Sequence, residues 1–274
     1  MYNYNIKYIG GFTMSNKKWL TMMLLVALSI VLTACGTGDK ETSGADAEGN
    51  FSKLLVGTEA TFAPFESMND KGEIVGIDVD IMNAIGEEMG SEIEFRNVGW
   101  EPVFQQLKNG ELDLGASGIT ITDDRKQTFD FTDPYYEATL MIVVKEDSPI
   151  TTLDELKDEK ISVQINTTGH EAAKKLQGKT SSKTLAYENQ PVAFQEVING
   201  AAAAAIGDNA VVLEYLKNNP NSGLKAIESD QFEKEYYGFM VKKGNTELLD
   251  HLNEGLKKIK ENGKLEEITG QKID

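Results

Sequence analysis

Between residues 117 and 125 the chain reads Ser117-Gly118-Ile119-Thr120-Ile121-Thr122-Asp123-Asp124-Arg125: hydroxyls, one glycine and one arginine at the end of an apolar run. A glycine lets backbone come close to a ligand, Thr120 and Thr122 offer hydroxyls, and Thr122 or Asp123 can cap a following helix. A guanidinium beside the free N–H groups of a helix start can grip a carboxylate through two parallel hydrogen bonds. The same residues also describe a solvated helix arginine paired with Asp123 or Asp124, and this stretch alone leaves both readings open.

A second group of the same chemistry lies downstream. Asn166-Thr167-Thr168-Gly169 precedes a helical segment that begins at His170, again a seat of hydroxyls and unpaired N–H groups. Asp208 ends an apolar stretch and is either a cleft acid or the cap of a helix beginning at Ala210. Glu59 is a second negative group, or a solvated loop acid. Phe62 and Trp100 can flank an extended or cationic side chain, or belong to the core. A free α-amino acid carries both signs, and burying either charge unpaired is costly. Arg125 with Thr120 and Thr168 would meet its carboxylate, and Asp208 its ammonium.

Those residues need elements to hold them. Residues 54–56 form a short apolar strand running into the loop 59–65. Residues 78–90 read as a helix, with Val79, Met82, Ile85 and Met89 on one face, an aspartate at the start and a glycine at the end. Residues 92–98 alternate as a strand, a helix starts at Pro102 and stops at Gly110, and 112–116 form the next strand. This alternation predicts a parallel α/β sheet, whose ligands bind beyond the carboxyl ends of the strands. The loops carrying Glu59 and Phe62, Trp100, and Ser117 to Thr120 should therefore meet at one rim.

A strand at 140–145 and a helical turn at 153–156 lead to a second α/β unit. Its strand 160–165 carries Gln164 near its end, followed by helices at 170–176 and 190–199. The alanines 201–205 favour helix by propensity, yet a stop at Gly200 and the following Ile206-Gly207-Asp208-Asn209 predict a buried strand, with a helix at 210–217. An apolar strand is expected over 236–241, and 246–268 is an amphipathic helical region broken at Gly263.

The N-terminal segment lies apart from this plan. Lys17 and Lys18, an apolar run from Trp19 to Leu32, and Thr33-Ala34-Cys35-Gly36 make a secretory signal, with Met14 the expected start. The run is shorter than the ~20 residues that span a bilayer. Residues 36–50 read as a flexible linker. The whole chain has 27 basic and 44 acidic residues. Residues 1–34 contain three of the lysines and no acid, so their removal leaves a net charge of −20. That balance argues against nucleic acid as a partner. With Cys35 the only cysteine and His170 and His251 the only histidines, no His/Cys metal cluster can be assembled. The phosphate-loop glycine pattern is missing, and nothing calls for a cofactor.

Residues 53–265 resemble the solute-binding proteins of polar amino acid ABC importers. The likeness rests on Val56-Gly57-Thr58-Glu59-Ala60-Thr61-Phe62-Ala63-Pro64-Phe65, Val75-Gly76-Ile77-Asp78-Val79-Asp80, Ser117 to Arg125, Asp130-Phe131-Thr132-Asp133-Pro134-Tyr135-Tyr136 and Thr167-Thr168-Gly169. It implies a two-lobed periplasmic-binding-protein-like fold of type II, with lobe 1 at 51–136 plus 238–274 and lobe 2 at 137–237. Two hinge crossings near 136–138 and 233–237 would close the lobes on a ligand in the cleft between them.

The resemblance implies that Arg125 binds the ligand carboxylate, helped by Gly118, Thr120 and Thr168, with Ser117 and Thr167 in the same two seats. Asp208 takes the ammonium, Phe62 and Trp100 flank the side chain, and Glu59 and Gln164 face its far end. Asn166 stands where the family often has glycine, Ala203 where it often has aspartate, and the tail 269–274 lacks the usual aromatic residues. Leu32-Thr33-Ala34-Cys35 resembles a bacterial lipoprotein signal, which implies cleavage before Cys35 and a lipidated monomer on the outer face of the cytoplasmic membrane, serving a permease. Arginine or another basic amino acid is the expected ligand, with glutamine or another polar amino acid as the alternative. A dehydratase-type enzyme and a sensor module on the same fold are the remaining readings.

Overall fold

The structure is a computed structural model, and the residues it describes are 51–273. The expected signal segment 1–34, Cys35 and the linker up to Asn50 lie outside the described residues.

β1 (Lys53–Thr58) runs into a small antiparallel sheet of β2 (Thr61–Phe62), β3 (Glu66–Met68) and β4 (Ile74–Val75). Then come α1 (Ile77–Met89), β5 (Glu92–Asn97), α2 (Trp100–Asn109), β6 (Leu114–Gly115), the single turn α3 (Asp123–Lys126) and β7 (Phe129–Phe131). β8 (Tyr136–Ala138) leads to β9 (Leu140–Lys145), a 3-10 turn at Asp154–Leu156, β10 (Ile161–Gln164), α4 (Thr168–Gln177) and β11 (Thr184–Tyr187). The chain continues through α5 (Gln190–Ile198), β12 (Ala204–Asp208), α6 (Asn209–Asn218) and β13 (Leu224–Ile227). It ends with β14 (Glu235–Tyr237), β15 (Met240–Lys242), α7 (Thr246–Glu261) and α8 (Lys264–Thr269).

These strands make two five-stranded α/β sheets, each the centre of a lobe. The first has the order β5-β1-β6-β15-β7, with β5, β1 and β6 parallel and β15 antiparallel to both of its neighbours. The second has the order β11-β10-β12-β9-β13, with β11, β10 and β12 parallel and β9 antiparallel to β12 and β13. The chain leaves the first sheet after β7 through β8 and returns from the second through β14. These two crossings pair with each other, Glu235 opposite Ala138, Tyr236 opposite Glu137 and Tyr237 opposite Tyr136.

The amphipathic pattern explains the packing of the first sheet: Leu54 and Val56 of β1 lie under Ile81, Met82 and Ile85 of α1, and Leu248, Leu252 and Leu256 of α7 close the same core. In the second sheet β12 runs between β10 and β9, where Ala204, Ala205 and Ile206 are fully buried. Burial at a sheet centre overrides the helix propensity of alanine, and the strand begins at Ala204, three residues into the expected run.

The run expected as one strand over 236–241 is two strands in different sheets. Tyr237 pairs with β8, whereas Met240 pairs with β6 and β7. The chain changes sheet at Gly238, packed so closely under Ile121 that an added Cβ would lie 2.8 Å from its Cδ1. α2 likewise begins at Trp100, two residues before the expected start at Pro102, so Trp100 stands in the first turn of a helix.

Candidate functional site

The rim of the first sheet is built around Gly118. Its φ of +52° is a left-handed conformation, and a Cβ there would sit 2.7 Å from the Phe62 ring. Its N–H donates to Asp78 Oδ2 at 2.9 Å, and the Tyr135 hydroxyl donates to Asp78 Oδ1 at 2.7 Å. Asp78 was expected at the start of its helix. There α1 is capped by Gly76 with no side-chain bond, and the aspartate reaches inward to hold the glycine loop. Ser117 Oγ donates to Glu66 Oε1 at 2.7 Å and accepts from the Glu59 N–H at 3.0 Å. Burial raises Asp78 to about 7. Burial first and the neighbouring Asp78 second hold Glu66 well above the carboxylate range.

Thr122 caps α3, its hydroxyl accepting from the Arg125 N–H at 3.2 Å. Arg125 turns its guanidinium to the cleft rather than to Asp123 or Asp124. It donates to the carbonyls of Thr120 (2.7 Å) and Asn166 (3.2 Å) and lies 5.4 Å from the ring centroids of both Trp100 and Phe104. Burial lowers its pKa to about 10, against the opposing pull of Asp208 and Glu235, and the group stays cationic at neutral pH.

From the second sheet come Gln164, Thr167, Thr168 and Asp208. Thr167 caps α4, accepting from the His170 N–H and donating to the Gln164 carbonyl at 2.8 Å. Gln164 Nε2 donates to Glu59 Oε2 at 3.1 Å. Glu59 is only 5% exposed, its carboxyl raised by burial, and it also accepts from the Thr61 hydroxyl. It is therefore no solvated loop acid. Asn166 has φ 57°, the conformation for which glycine is the usual residue and asparagine one of the few tolerated substitutes. Its side chain donates to Glu101 Oε1 across the cleft at 2.8 Å.

Asp208 occupies the cap position of α6 but makes no side-chain capping bond. Its carboxyl accepts a hydrogen bond from the Tyr237 hydroxyl. Tyr237 is in turn held by the rings of Tyr136, at 5.7 Å, and Phe65, at 5.1 Å. Burial and then the nearby Glu235 push Asp208 to about 7.

Phe62, Trp100, Gly118, Thr120, Arg125, Gln164, Thr167, Thr168 and Asp208 line one small cavity of about 10 Å³, the space of a single water molecule. Two of the expected site residues stand behind its wall: Glu59 reaches it through Gln164, and Ser117 braces Glu59 and Glu66. A wider groove of about 860 Å³ opens beside it, along Phe104, Phe129, Leu153 and Phe232.

Sequence reasoning missed Glu235. Its carboxylate accepts from Thr120 Oγ1 at 3.0 Å and Thr168 Oγ1 at 2.9 Å, and burial raises its pKa. The available signal was weak: Glu235 is one of two acids, with Glu233, that precede Tyr237-Gly238 at the second crossing. Asp78 and Tyr237 were seen only as helix start and strand, because their partners Gly118 and Asp208 are 40 and 29 residues away.

Residues 54–271 match the profile of the bacterial extracellular solute-binding proteins, family 3, and the chain belongs to that family. It is 48% identical to the solved arginine-, lysine-, histidine-binding protein ArtJ of Geobacillus stearothermophilus, with a TM-score of 0.76 over 79% of this chain and 93% of that one. It is 38% identical to a probable histidine-binding protein of Neisseria gonorrhoeae, over 93% of this chain and 95% of the relative. It is 33% identical to the arginine-binding extracellular protein ArtP of Bacillus subtilis, over 93% of this chain and the whole of the relative. These relatives are named as binding proteins, not as enzymes.

Proposed function

We propose that this chain is the receptor of an amino acid ABC importer and that it captures a basic amino acid, arginine foremost, for delivery to a membrane permease. One observation carries the reading: the guanidinium of the half-buried Arg125 and the buried carboxyl of Asp208 face one cavity together with the hydroxyls of Thr120 and Thr168. That is a matched seat for the two charges of an α-amino acid, and each charge would be desolvated only against its opposite.

In this reading Arg125 exchanges its carbonyl partners for the ligand carboxylate and Asp208 ionises against the ammonium. Phe62 and Trp100 flank the side chain, and Gln164 with Glu59 receives its far end. A negative group behind a glutamine suits a guanidinium or ammonium; it also suits the amide of glutamine, which stays as the second reading. A cavity of about one water's volume admits a ligand only when the lobes part. Residues 51–136 with 238–274 would form one rigid half and 137–237 the other. Lipidation at Cys35, outside the described residues, would hold the receptor on the outer face of the membrane. The chain would do no chemistry of its own.

The test is calorimetric titration with arginine, lysine, histidine and glutamine after unfolding and refolding to strip bound ligand. The expected result is tight arginine binding, weakened by about 100-fold or more in Arg125→Ala and weakened selectively for basic ligands in Glu59→Gln. Binding of glutamine alone would overturn the basic preference, and silence toward all four would overturn the receptor reading.

A further inference from the structure

Glu235 has no place in the scheme above, yet it touches the centre of it. Its Oε2 accepts from Thr120 Oγ1 of the first lobe and from Thr168 Oγ1 of the second. A threonine hydroxyl has one proton to donate. While both protons go to Glu235, neither hydroxyl can donate to another carboxylate. The groups around Glu235 repeat those expected around a bound amino acid: two hydroxyls, the cationic Arg125 as an attracting charge, and Asp208 as a nearby acid.

Resting on the receptor reading, we infer that the Glu235 carboxylate is an internal occupant of the ligand's carboxylate seat, and that an incoming amino acid must displace it from Thr120 and Thr168. Each proton that goes to the ligand carboxylate is one that Glu235 loses, and in a dry cleft the two like charges repel. The ligand's gain at the seat is therefore reduced by what Glu235 gives up. The position of Glu235 on β14, opposite Ala138 of β8, places this competitor on one of the two connections between the lobes. Its two bonds also join the lobes, so the residue that competes with the ligand also favours the closed cleft.

The opposite role is that Glu235 merely orients the two threonines, or attracts the ligand ammonium beside Asp208. Both of these make the carboxylate helpful, so the sign of the effect on binding separates them from displacement. The test is calorimetry on the full-length chain in detergent, wild type against Glu235→Ala and the isosteric Glu235→Gln, with arginine, lysine, histidine and glutamine as probes.

Displacement predicts tighter binding in both variants, about tenfold for Glu235→Ala and less for Glu235→Gln, whose amide oxygen still accepts a hydrogen bond. Unchanged or weaker binding in folded variants overturns the inference while the receptor reading stands. A wild type that binds none of the four overturns the receptor reading and the inference with it.

Discussion

Asp78 and Asp208 are near twins in different places. Each stands at a helix start without capping it, each is buried, each accepts from a tyrosine hydroxyl, and each is raised to about 7. Each also has a second acid nearby, Glu66 for the first and Glu235 for the other. They differ in what lies on the remaining side. Asp78 gives its second oxygen to the Gly118 N–H inside the wall, whereas Asp208 lines the cavity with Arg125 among the other walls. Burial makes a carboxyl titrate near neutrality in either place. Only the cavity gives that titration something to do for a ligand, and the other acid's proton is felt in folding.

The largest effect expected from this contrast is on binding. Asp208→Asn should weaken amino acid binding by about 100-fold, the scale of losing a charge-assisted hydrogen bond in a dry site. Asp78→Asn should leave affinity within about threefold. Because a ligand ammonium favours ionised Asp208, wild-type affinity should fall by up to about tenfold per pH unit below pH 7, and this slope should vanish in Asp208→Asn. Calorimetry at pH 8, 7 and 6 measures both.

The second effect is on stability and has the opposite owner. Asp78 is neutral in the folded protein and ionised in the unfolded chain between about pH 4 and 7, so folding takes up a proton there. Its contribution to stability is fully present below pH 4 and declines as pH rises toward 7, at up to about 1.4 kcal/mol per unit. Asparagine can satisfy both neighbours, accepting from Gly118 and donating to the Tyr135 oxygen. Urea unfolding at pH 4.5, 6 and 7.5 should therefore show Asp78→Asn gaining on the wild type as pH rises. A constant gap between the two would break the comparison.

The smallest effect is at Asn166. Glycine suits its φ of 57° without strain, so Asn166→Gly should change stability by less than about 1 kcal/mol. Loss of the exposed bond to Glu101 across the cleft should weaken ligand binding by about twofold to fivefold in the same titration.

Much of this site was legible because its chemistry is local. Thr122 capping α3, Thr167 capping α4 and the alternation of strands with helices all follow from neighbours in sequence. The two-lobed fold followed from that alternation together with the family likeness. Glu235 and Asp78 were not legible in their real roles, since each is defined by groups brought from far along the chain. The strand break at Gly238 was hidden for a related reason: Tyr236 to Val241 is uniformly strand-like, and only the positions of β8 and β6 reveal that its two ends belong to different sheets.

The pairing of β8 with β14 bears on how the proposed receptor opens. Two separate tethers would let one lobe swivel, slide and tilt against the other. Here three residue pairs bind the connections into one ribbon, and Gln271 clamps Glu137 by both its N–H and its carbonyl. Paired in this way, the two crossings would resist sliding past each other, so in the proposed receptor opening would proceed mainly by bending and twisting of the ribbon as one piece. In the proposed receptor, Arg125 on one lobe and Asp208 on the other would then be returned to register by the paired crossings each time the cleft closes.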